Sequence, residues 1–332
     1  MSSTVEALKL AQRVVEAART ESNAYAEALE VSKFTRLSAD VESNMDNWQR
    51  SHAILGNWEG VGRKVLAIDD ELVSLLRYSS SSKVEPAVFR TLPYINPMVV
   101  FPSPPVLPSR VKSETYTLLG YFAAASRGTV RELTSTHDPD ADSFFAYCVV
   151  HIDRDDGTTD IEFDYVSFPI VGEPFTMKEC VDRILSGFVW MDRGGDSPRQ
   201  PKFMRELMTL VIGSAMYLCS TTLEAEKVPR KALLKHFPSG NRPPFSMYRV
   251  GWQIGAALSA ARKTVTVDDP SQQTKPGYEQ DPQHRRAHFK TVWTGKGSMT
   301  PKLVFIAPYW THLEKLGKSG VNTVHGVKPP TE

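Results

Sequence analysis

Two histidines beside a run of cations are the residues in this sequence whose types and spacing most suggest chemistry. Residues 284–297 read His-Arg-Arg-Ala-His-Phe-Lys-Thr-Val-Trp-Thr-Gly-Lys-Gly. His284 and His288 could act as general acid and general base, while Arg286 and Lys290 stabilise the charge of a phosphorane. Such an arrangement needs no metal and suits cleavage of RNA next to a 2′-hydroxyl group. The first hypothesis is therefore a metal-independent ribonuclease.

The same segment could also hold RNA without cleaving it, or bind a protein partner. Arginine and lysine side chains neutralise phosphates, and an aromatic ring can stack on an unpaired base. Trp293 or an exposed Phe289 could provide that ring. The candidate binding residues, for RNA or for a partner, are Arg285, Arg286, His288, Lys290, Trp293 and Lys296.

A third hypothesis gives the segment a structural role. In it Phe289 and Trp293 belong to the core, and the arginines pair with an acidic segment, residues 138–164, which holds nine carboxylates and one base, Arg154. Clustered carboxylates can also bind a divalent metal. However, residues 153–157 lack the spacing of a calcium loop, because Gly157 falls where an oxygen ligand should be. We therefore expect no metal site and no cofactor.

The element that must position these residues is a β-hairpin. Hydrophobicity alternates with period two, so that Ala287, Phe289 and Trp293 share one face while the histidines and Lys290 share the other. Gly295-Lys296-Gly297 predicts a turn, because glycine adopts positive φ without steric cost. The apolar run Leu303–Ala307 supplies the second strand. We predict a hairpin over residues 284–308 with a basic outer face.

The rest of the chain predicts an α+β fold with amino-terminal helices, a mixed, mostly antiparallel sheet, central helices and the hairpin completing the sheet. Hydrophobic periodicity predicts helices at 4–33, 38–51, 62–78, 176–188, 202–223 and 245–263, and strands at 98–101, 116–125, 144–152 and 161–168. Thr176 and Glu179 have the spacing of a capping box. Gly251 and Gly255, four residues apart, would allow a close approach within a helix pair.

The predicted domain organisation has three parts. A helical region spans residues 1–82 and ends at the serine run 79–82. An α+β domain spans residues 83–317 and includes the hairpin, and residues 318–332 form a tail. The first helix could mediate a homodimer, but packing against its own domain is the simpler interpretation.

Composition excludes several classes of protein. The formal net charge of +1 argues against a general nucleic-acid coating protein, so any such contact should be local. Phosphate-cradling loops and Gly-x-Ser-x-Gly are missing from the sequence, which argues against an enzyme of those classes. Cys148, Cys180 and Cys219 are widely spaced and predict reduced, buried thiols.

These features also predict a location. The amino terminus lacks a long apolar core, so we expect no signal peptide. The uncharged run of the most apolar predicted helix, Leu207–Leu223, has 17 residues, short of the ~20 that a membrane span needs. We therefore expect a protein that acts in the cytoplasm, without a membrane.

The hairpin segment resembles the carboxyl-terminal signature of a family of anti-CRISPR proteins that act on type V-A systems. The pattern is His-Arg-Arg-small-His-aromatic, then Trp-x-Gly-x-Gly, then an apolar strand ending near Pro308. Ala287 and Phe289 stand where Gly and Trp are commonest in the family. The resemblance extends over roughly residues 55–313 through further blocks at residues 67–71, 92–93, 120–123, 210–223 and 246–255.

That resemblance implies an inhibitor carried by a phage or plasmid. Such proteins suppress a type V-A effector nuclease by recognising it as it is made, after which the message is lost. The implied partners are the nuclease, as a nascent or a finished chain, or its mRNA or ribosome, in the cytoplasm of the host bacterium. The alternative is an RNA-binding protein or metal-independent ribonuclease of a phage or plasmid, with His284 and His288 as its catalytic pair.

Overall fold

The computed structural model describes residues 2–33, 39–111, 113–126, 143–170, 172–187, 200–235, 245–254 and 283–311. The helices are α1 (Ser2–Ser32), α2 (Ala39–Gly60), α3 (Asp70–Arg77), α4 (Met177–Gly187), α5 (Gln200–Leu218) and α6 (Arg230–Leu234). The first strands are β1 (Lys64–Ile68), β2 (Ser80–Ser81), β3 (Met98–Val100), β4 (Val106–Leu107), β5 (Glu114–Ser126), β6 (Ser143–Arg154) and β7 (Thr159–Pro169). The remaining strands are β8 (Ala225–Lys227), β9 (Ser246–Val250), β10 (Gln283–Arg285), β11 (His288–Thr294), β12 (Thr300–Ile306) and β13 (Tyr309–Thr311).

A mixed sheet forms the centre of the fold, as predicted. Its strand order is β7-β6-β5-β3-β1-β9-β8, and β4 pairs with β5. β1 pairs in parallel with β3 and with β9, whereas the other pairs in this sheet are antiparallel. The α+β class and the mostly antiparallel character of the sheet are therefore confirmed.

Helices cover both faces of this sheet. The apolar side of α1, with Leu55 and Trp58 of α2, packs on one face, so α1 packs against its own domain. α3, α4, α5 and the β11–β12 hairpin pack on the other. Side chains of β6 alternate between the two cores, with Val149 in the first and Cys148 in the second. A strand buried on both faces reads as a continuous apolar run, which is what β6 shows.

The helix predicted over residues 62–78 is wrong in its first half. Val65–Ile68 belong to β1, the strand at the centre of the three parallel strands. Because β1 is buried on both faces, its sequence lacks the alternation that marks a half-buried strand. The helix begins only at α3, where the Asp69 carboxylate accepts a hydrogen bond from the Glu71 amide.

The helix predicted over residues 245–263 also begins too early. Residues 246–250 form β9, which pairs in parallel with all of β1. Gly251 has a φ of 74° and ends the strand. A Cβ atom on Gly251 would lie 2.2 Å from the Leu72 side chain, so the close approach is to α3 and not within a pair of packed helices. A helix starts at Trp252, and Gly255 lies outside the described residues.

Other local predictions are confirmed. Thr176 and Glu179 form the predicted capping box: the Thr176 hydroxyl accepts from the Glu179 amide at 3.1 Å, and the Glu179 carboxylate accepts from the Thr176 amide at 2.7 Å. Cys148, Cys180 and Cys219 are free and buried, and burial raises the pKa of the Cys180 and Cys219 thiols to about 12. Among the described helices, none is long and apolar enough to cross a membrane.

The domain boundaries remain a prediction. Strands of the main sheet come from both sides of residue 82, since β1 precedes it and β3 follows it. The predicted tail, residues 318–332, lies outside the described residues.

Candidate binding surface on the carboxyl-terminal hairpin

The predicted hairpin is present, with narrower bounds. β11 and β12 pair antiparallel from His288↔Ile306 to Thr294↔Thr300. Gly295 and Gly297 have φ values of 83° and 71° in the connecting turn, as the glycine pattern predicted. Residues 283–285 form β10, which leaves the hairpin to pair with β13. The extended strand is interrupted between β10 and β11, where the side chain of Ala287 is buried in the core.

The hairpin does not complete the main sheet. β11 pairs instead with β2 in parallel, His288 opposite Ser80 and Phe289 opposite Ser81, to give a separate three-stranded sheet in the order β12-β11-β2. The serine run at which the helical region was predicted to end is thus partly a strand. Sequence reasoning could not find β2, because two exposed or half-exposed serines carry no hydrophobic alternation.

The base of the hairpin is anchored in the core. Phe289 is fully buried, and its ring centroid lies 5.0 Å from that of Phe305. Phe305 in turn meets Tyr217 of α5 edge to face, with centroids 5.2 Å apart. The outer edge of β12 is covered by the loop after α5, since the Thr221 amide donates to the Leu303 carbonyl at 2.8 Å. The prediction that Phe289 is a core residue is confirmed, so its alternative role as an exposed stacking ring is wrong.

The tip of the hairpin extends beyond that core. Trp293 is 49% exposed and Met299 is 80% exposed. Both lie beside the turn, where Trp293 faces Pro301 across the ladder. The hypothesis that Trp293 is a core residue is therefore wrong, and Met299 is an exposed apolar residue that the sequence analysis did not single out.

Cations surround this apolar tip. On one face of the ladder Lys290 lies opposite Val304 and Lys302 lies opposite Val292, so the two lysines are diagonal neighbours. Lys296 follows in the turn. Exposed side chains here and at the start of the motif are Arg285, Arg286, Lys290, Lys296 and Lys302.

These cations are not neutralised by the acidic segment in the part of the chain that the structure describes. There, Glu162 and Asp164 pair with Arg110, and Asp160 pairs with Arg154. None of the ion pairs between described residues joins the hairpin to a carboxylate. The prediction that these carboxylates balance the hairpin is wrong. Asp138, Asp140 and Asp142 lie outside the described residues.

The two candidate catalytic histidines lie in different small sheets. His284 is in β10, opposite Trp310, whereas His288 begins β11. His288 Nδ1 lies 3.0 Å from the Arg286 carbonyl oxygen. Because a carbonyl only accepts, Nδ1 carries the proton and Nε2 of the neutral ring is left to accept one. The side chain of His284 lies outside the described part, so a catalytic pair remains a prediction.

A metal centre finds no support in the described ranges, where no group of three or more His, Cys, Asp or Glu side chains could hold an ion.

We expect the base and the tip of the hairpin to respond differently to truncation. Phe289→Ala should lower the free energy of unfolding by about 3–5 kcal/mol, because it empties a fully buried site. Trp293→Ala should change it by less than about 1 kcal/mol, because the half-exposed ring loses little buried area. Urea unfolding of both variants measures this. Equal losses would mean that Trp293 is part of the core.

One comparison with known proteins finds a family whose model spans the hairpin. A family model described as AcrVA2-like, anti-CRISPR type V subtype A2 family, matches residues 66–313. The match begins within β1 and ends after β13, and so includes the whole hairpin. No curated protein matches the chain.

Proposed function

Because the chain belongs to the AcrVA2-like anti-CRISPR family, we propose that it suppresses a type V-A CRISPR effector nuclease by recognising the nuclease during its synthesis and lowering its message and its protein. Membership of the family supports an anti-CRISPR role, and it supports a type V-A system as the target. The mode of action is the proposal. Its setting is a bacterial cytoplasm into which a phage or plasmid has brought the gene.

The observation that carries the proposal is the hairpin tip, which combines exposed apolar side chains with cations that no described carboxylate neutralises. A nascent chain near its message offers two kinds of surface, an extended peptide and RNA phosphates. Trp293 and Met299 can bury apolar peptide side chains, while Lys290, Lys296 and Lys302 attract phosphates. A nearly neutral protein with one basic surface is suited to such a local contact.

The experiment is co-expression with a type V-A effector gene, following effector protein and message over time. In one arm the inhibitor is induced before the effector, and in the other it is induced after the effector has accumulated and its transcription has been stopped. Action during synthesis predicts loss of message and protein in the first arm and stable effector protein in the second. Rapid loss of preformed effector protein would contradict the proposal.

A recoded effector gene separates the two kinds of recognition. Synonymous codons over the start of the gene change the RNA and leave the peptide unchanged. If the emerging peptide is recognised, the recoded message is lost as fast as the original. Escape of the recoded message would favour RNA-sequence recognition.

RNA binding is the second candidate function, favoured by the exposed Trp293 beside exposed lysines. Stacking on such a ring contributes about 1–3 kcal/mol per base. Trp293→Ala should therefore weaken binding of an unstructured RNA by about tenfold or more, with affinity falling steeply as salt rises. Fluorescence anisotropy with a labelled single strand measures both.

We expect His284→Ala/His288→Ala to leave suppression of the effector unchanged. The two residues lie in strands of different sheets, and the proposed recognition requires no proton transfer. The double variant is compared with the wild type in the co-expression assay, with folding checked by circular dichroism. Loss of suppression in a folded double variant, together with cleavage of RNA by the purified wild type alone, would establish the ribonuclease alternative instead.

A further inference from the structure

A cavity of about 450 Å³ lies beside the hairpin, bordered by the end of α3, β2, the start of α4 and the first half of α5. Its volume is within the range of about 300–1,000 Å³ that is typical of small-molecule sites. β2 joins the cavity to the hairpin, since Ser80 lines the cavity and lies opposite His288 in the ladder. None of the residues that line it belongs to the binding or catalytic residues predicted from the sequence.

The charge of the cavity wall is positive. Arg77, Lys178 and Arg205 line it, and no aspartate or glutamate does among the residues that the structure describes. Behind the wall, Glu206 pairs with Arg77, while Asp182 pairs with both Lys178 and Arg205 at 2.6 Å. The charged side chains that line the cavity are therefore cations, while the carboxylates of Glu206, Asp182 and Glu179 lie outside the described lining.

Two of the three cations are free to turn toward a ligand. The side chains of Lys178 and Arg205 are 82% and 52% exposed, and exposed ion pairs of this kind contribute only about 0–1 kcal/mol. A ligand that offers better contacts can therefore recruit them. Arg77 is held more firmly, because it also donates to the Val106 carbonyl at 2.7 Å.

The hydroxyl groups of the wall present donors to the cavity. The Ser81 hydroxyl accepts from the Met177 amide at 2.6 Å, and the Thr176 hydroxyl accepts from the Glu179 amide at 3.1 Å. Since a hydroxyl has one O–H to donate, Ser81 keeps that donor for a ligand, whereas Thr176 donates its own to the Glu179 carboxylate and so helps to lower the pKa of that group. Ser80 is exposed and keeps its hydroxyl as well. By contrast, Ser79 and Thr209 already donate to backbone carbonyls.

We propose that this cavity binds a phosphate group, carried by a free nucleotide or by the end of an RNA chain. A terminal phosphate offers several acceptor oxygens and negative charge, which matches a wall of cations and hydroxyl donors. The amino-terminal end of α4, at the same wall, adds a favourable dipole. The inference goes beyond the proposed function, since membership of the family assigns no ligand to these residues.

The test is direct binding to the purified full chain by calorimetry. The probes are inorganic phosphate, adenosine monophosphate, and one short RNA made with a 5′-phosphate or with a 5′-hydroxyl. Ser80→Asp places a carboxylate in the cavity, and Arg205→Gln removes a cation while leaving Asp182 paired with Lys178. The matched control is Thr20→Asp on the exposed side of α1. Thermal unfolding confirms that all variants are folded.

We expect the wild type to bind the phosphate-bearing probes, and each cavity variant to bind them at least about tenfold more weakly, the effect of roughly 1.4 kcal/mol. Thr20→Asp should bind as the wild type does. Binding of the mononucleotide alone identifies a free nucleotide as the source, and a preference for 5′-phosphorylated RNA over its 5′-hydroxyl form identifies an RNA end. No binding to the wild type, or equal binding to the cavity variants, would overturn the proposal. Binding is measured on the purified protein, and suppression of the effector is measured by co-expression. The two assays can therefore fail separately.

Discussion

Arg285→Glu/Arg286→Glu is expected to restore effector message and protein to the levels found without the inhibitor. Both side chains are exposed and make no ion pair with another described residue, so their charge is available to a partner. A hydrogen bond to a charged group contributes about 1.5–3 kcal/mol. Losing two such contacts, and adding repulsion toward phosphates, should lower affinity by about 100-fold or more.

The control for this variant is Lys9→Glu/Arg13→Glu. Both residues are exposed cations on α1, and they lie outside the segment that matches the family. The control makes the same change in net charge without touching the hairpin, so suppression should persist. The measurement is the time course of effector message and protein with each variant, at equal inhibitor levels. Suppression that survives in Arg285→Glu/Arg286→Glu would remove these arginines from the binding surface.

Gly120→Ala is expected to be the most destabilising small substitution in the main sheet. A Cβ atom at this position would lie 2.3 Å from the Val99 carbonyl oxygen of β3. That oxygen belongs to the backbone of a buried central strand, so it cannot move aside as a flexible side chain would. The ladder between β5 and β6 is already irregular between Leu118 and Gly120. We expect a loss of at least about 2–3 kcal/mol in the free energy of unfolding.

Gly56→Ala is the matched control, because it is the same change in helix α2. No atom lies within 4 Å of the added Cβ there. Alanine in a helix interior is favoured over glycine by about 0.5–1 kcal/mol, so this variant should be more stable than the wild type. Urea unfolding of the two variants provides the comparison. A Gly120→Ala variant as stable as the wild type would show that β3 and β5 can separate without loss.

Strong local signals explain which parts of the fold could be predicted. The long amphipathic helix α1, the α4 capping box and the strands β6 and β7 were found because their signals lie in neighbouring residues. The two wrong helices, over β1 and β9, share one cause. Both strands are central and parallel, and their sequences depend on partners far along the chain. The buried apolar run of β1 does not distinguish a strand from a helix. In β9 the buried residues are Met247 and Val250, and their spacing of three fits a helix.

The candidate site also has some properties that follow from local sequence and others that depend on tertiary contacts. The amino-acid sequence alone predicted a hairpin within residues 284–308, its basic character and lack of carboxylates, and the family that it resembles. These properties are local, because they follow from alternation, glycine at the turn and residue types. It also located the candidate cations Arg285, Arg286, Lys290 and Lys296, whose exposure the tertiary structure then established.

Only the tertiary structure decided which aromatic ring of the hairpin is exposed to a binding partner. Phe289 and Trp293 lie on the same face of one strand, and the alternation treats them alike. Phe289 is buried because Phe305 and α5 lie over it, whereas Trp293 lies past the edge of that core and stays half exposed. The cavity next to β2 is decided in the same way, since its wall joins residues 77–81, 176–181 and 205–209. Burial and convergence depend on contacts between distant segments, and no pattern of neighbouring residues specifies them.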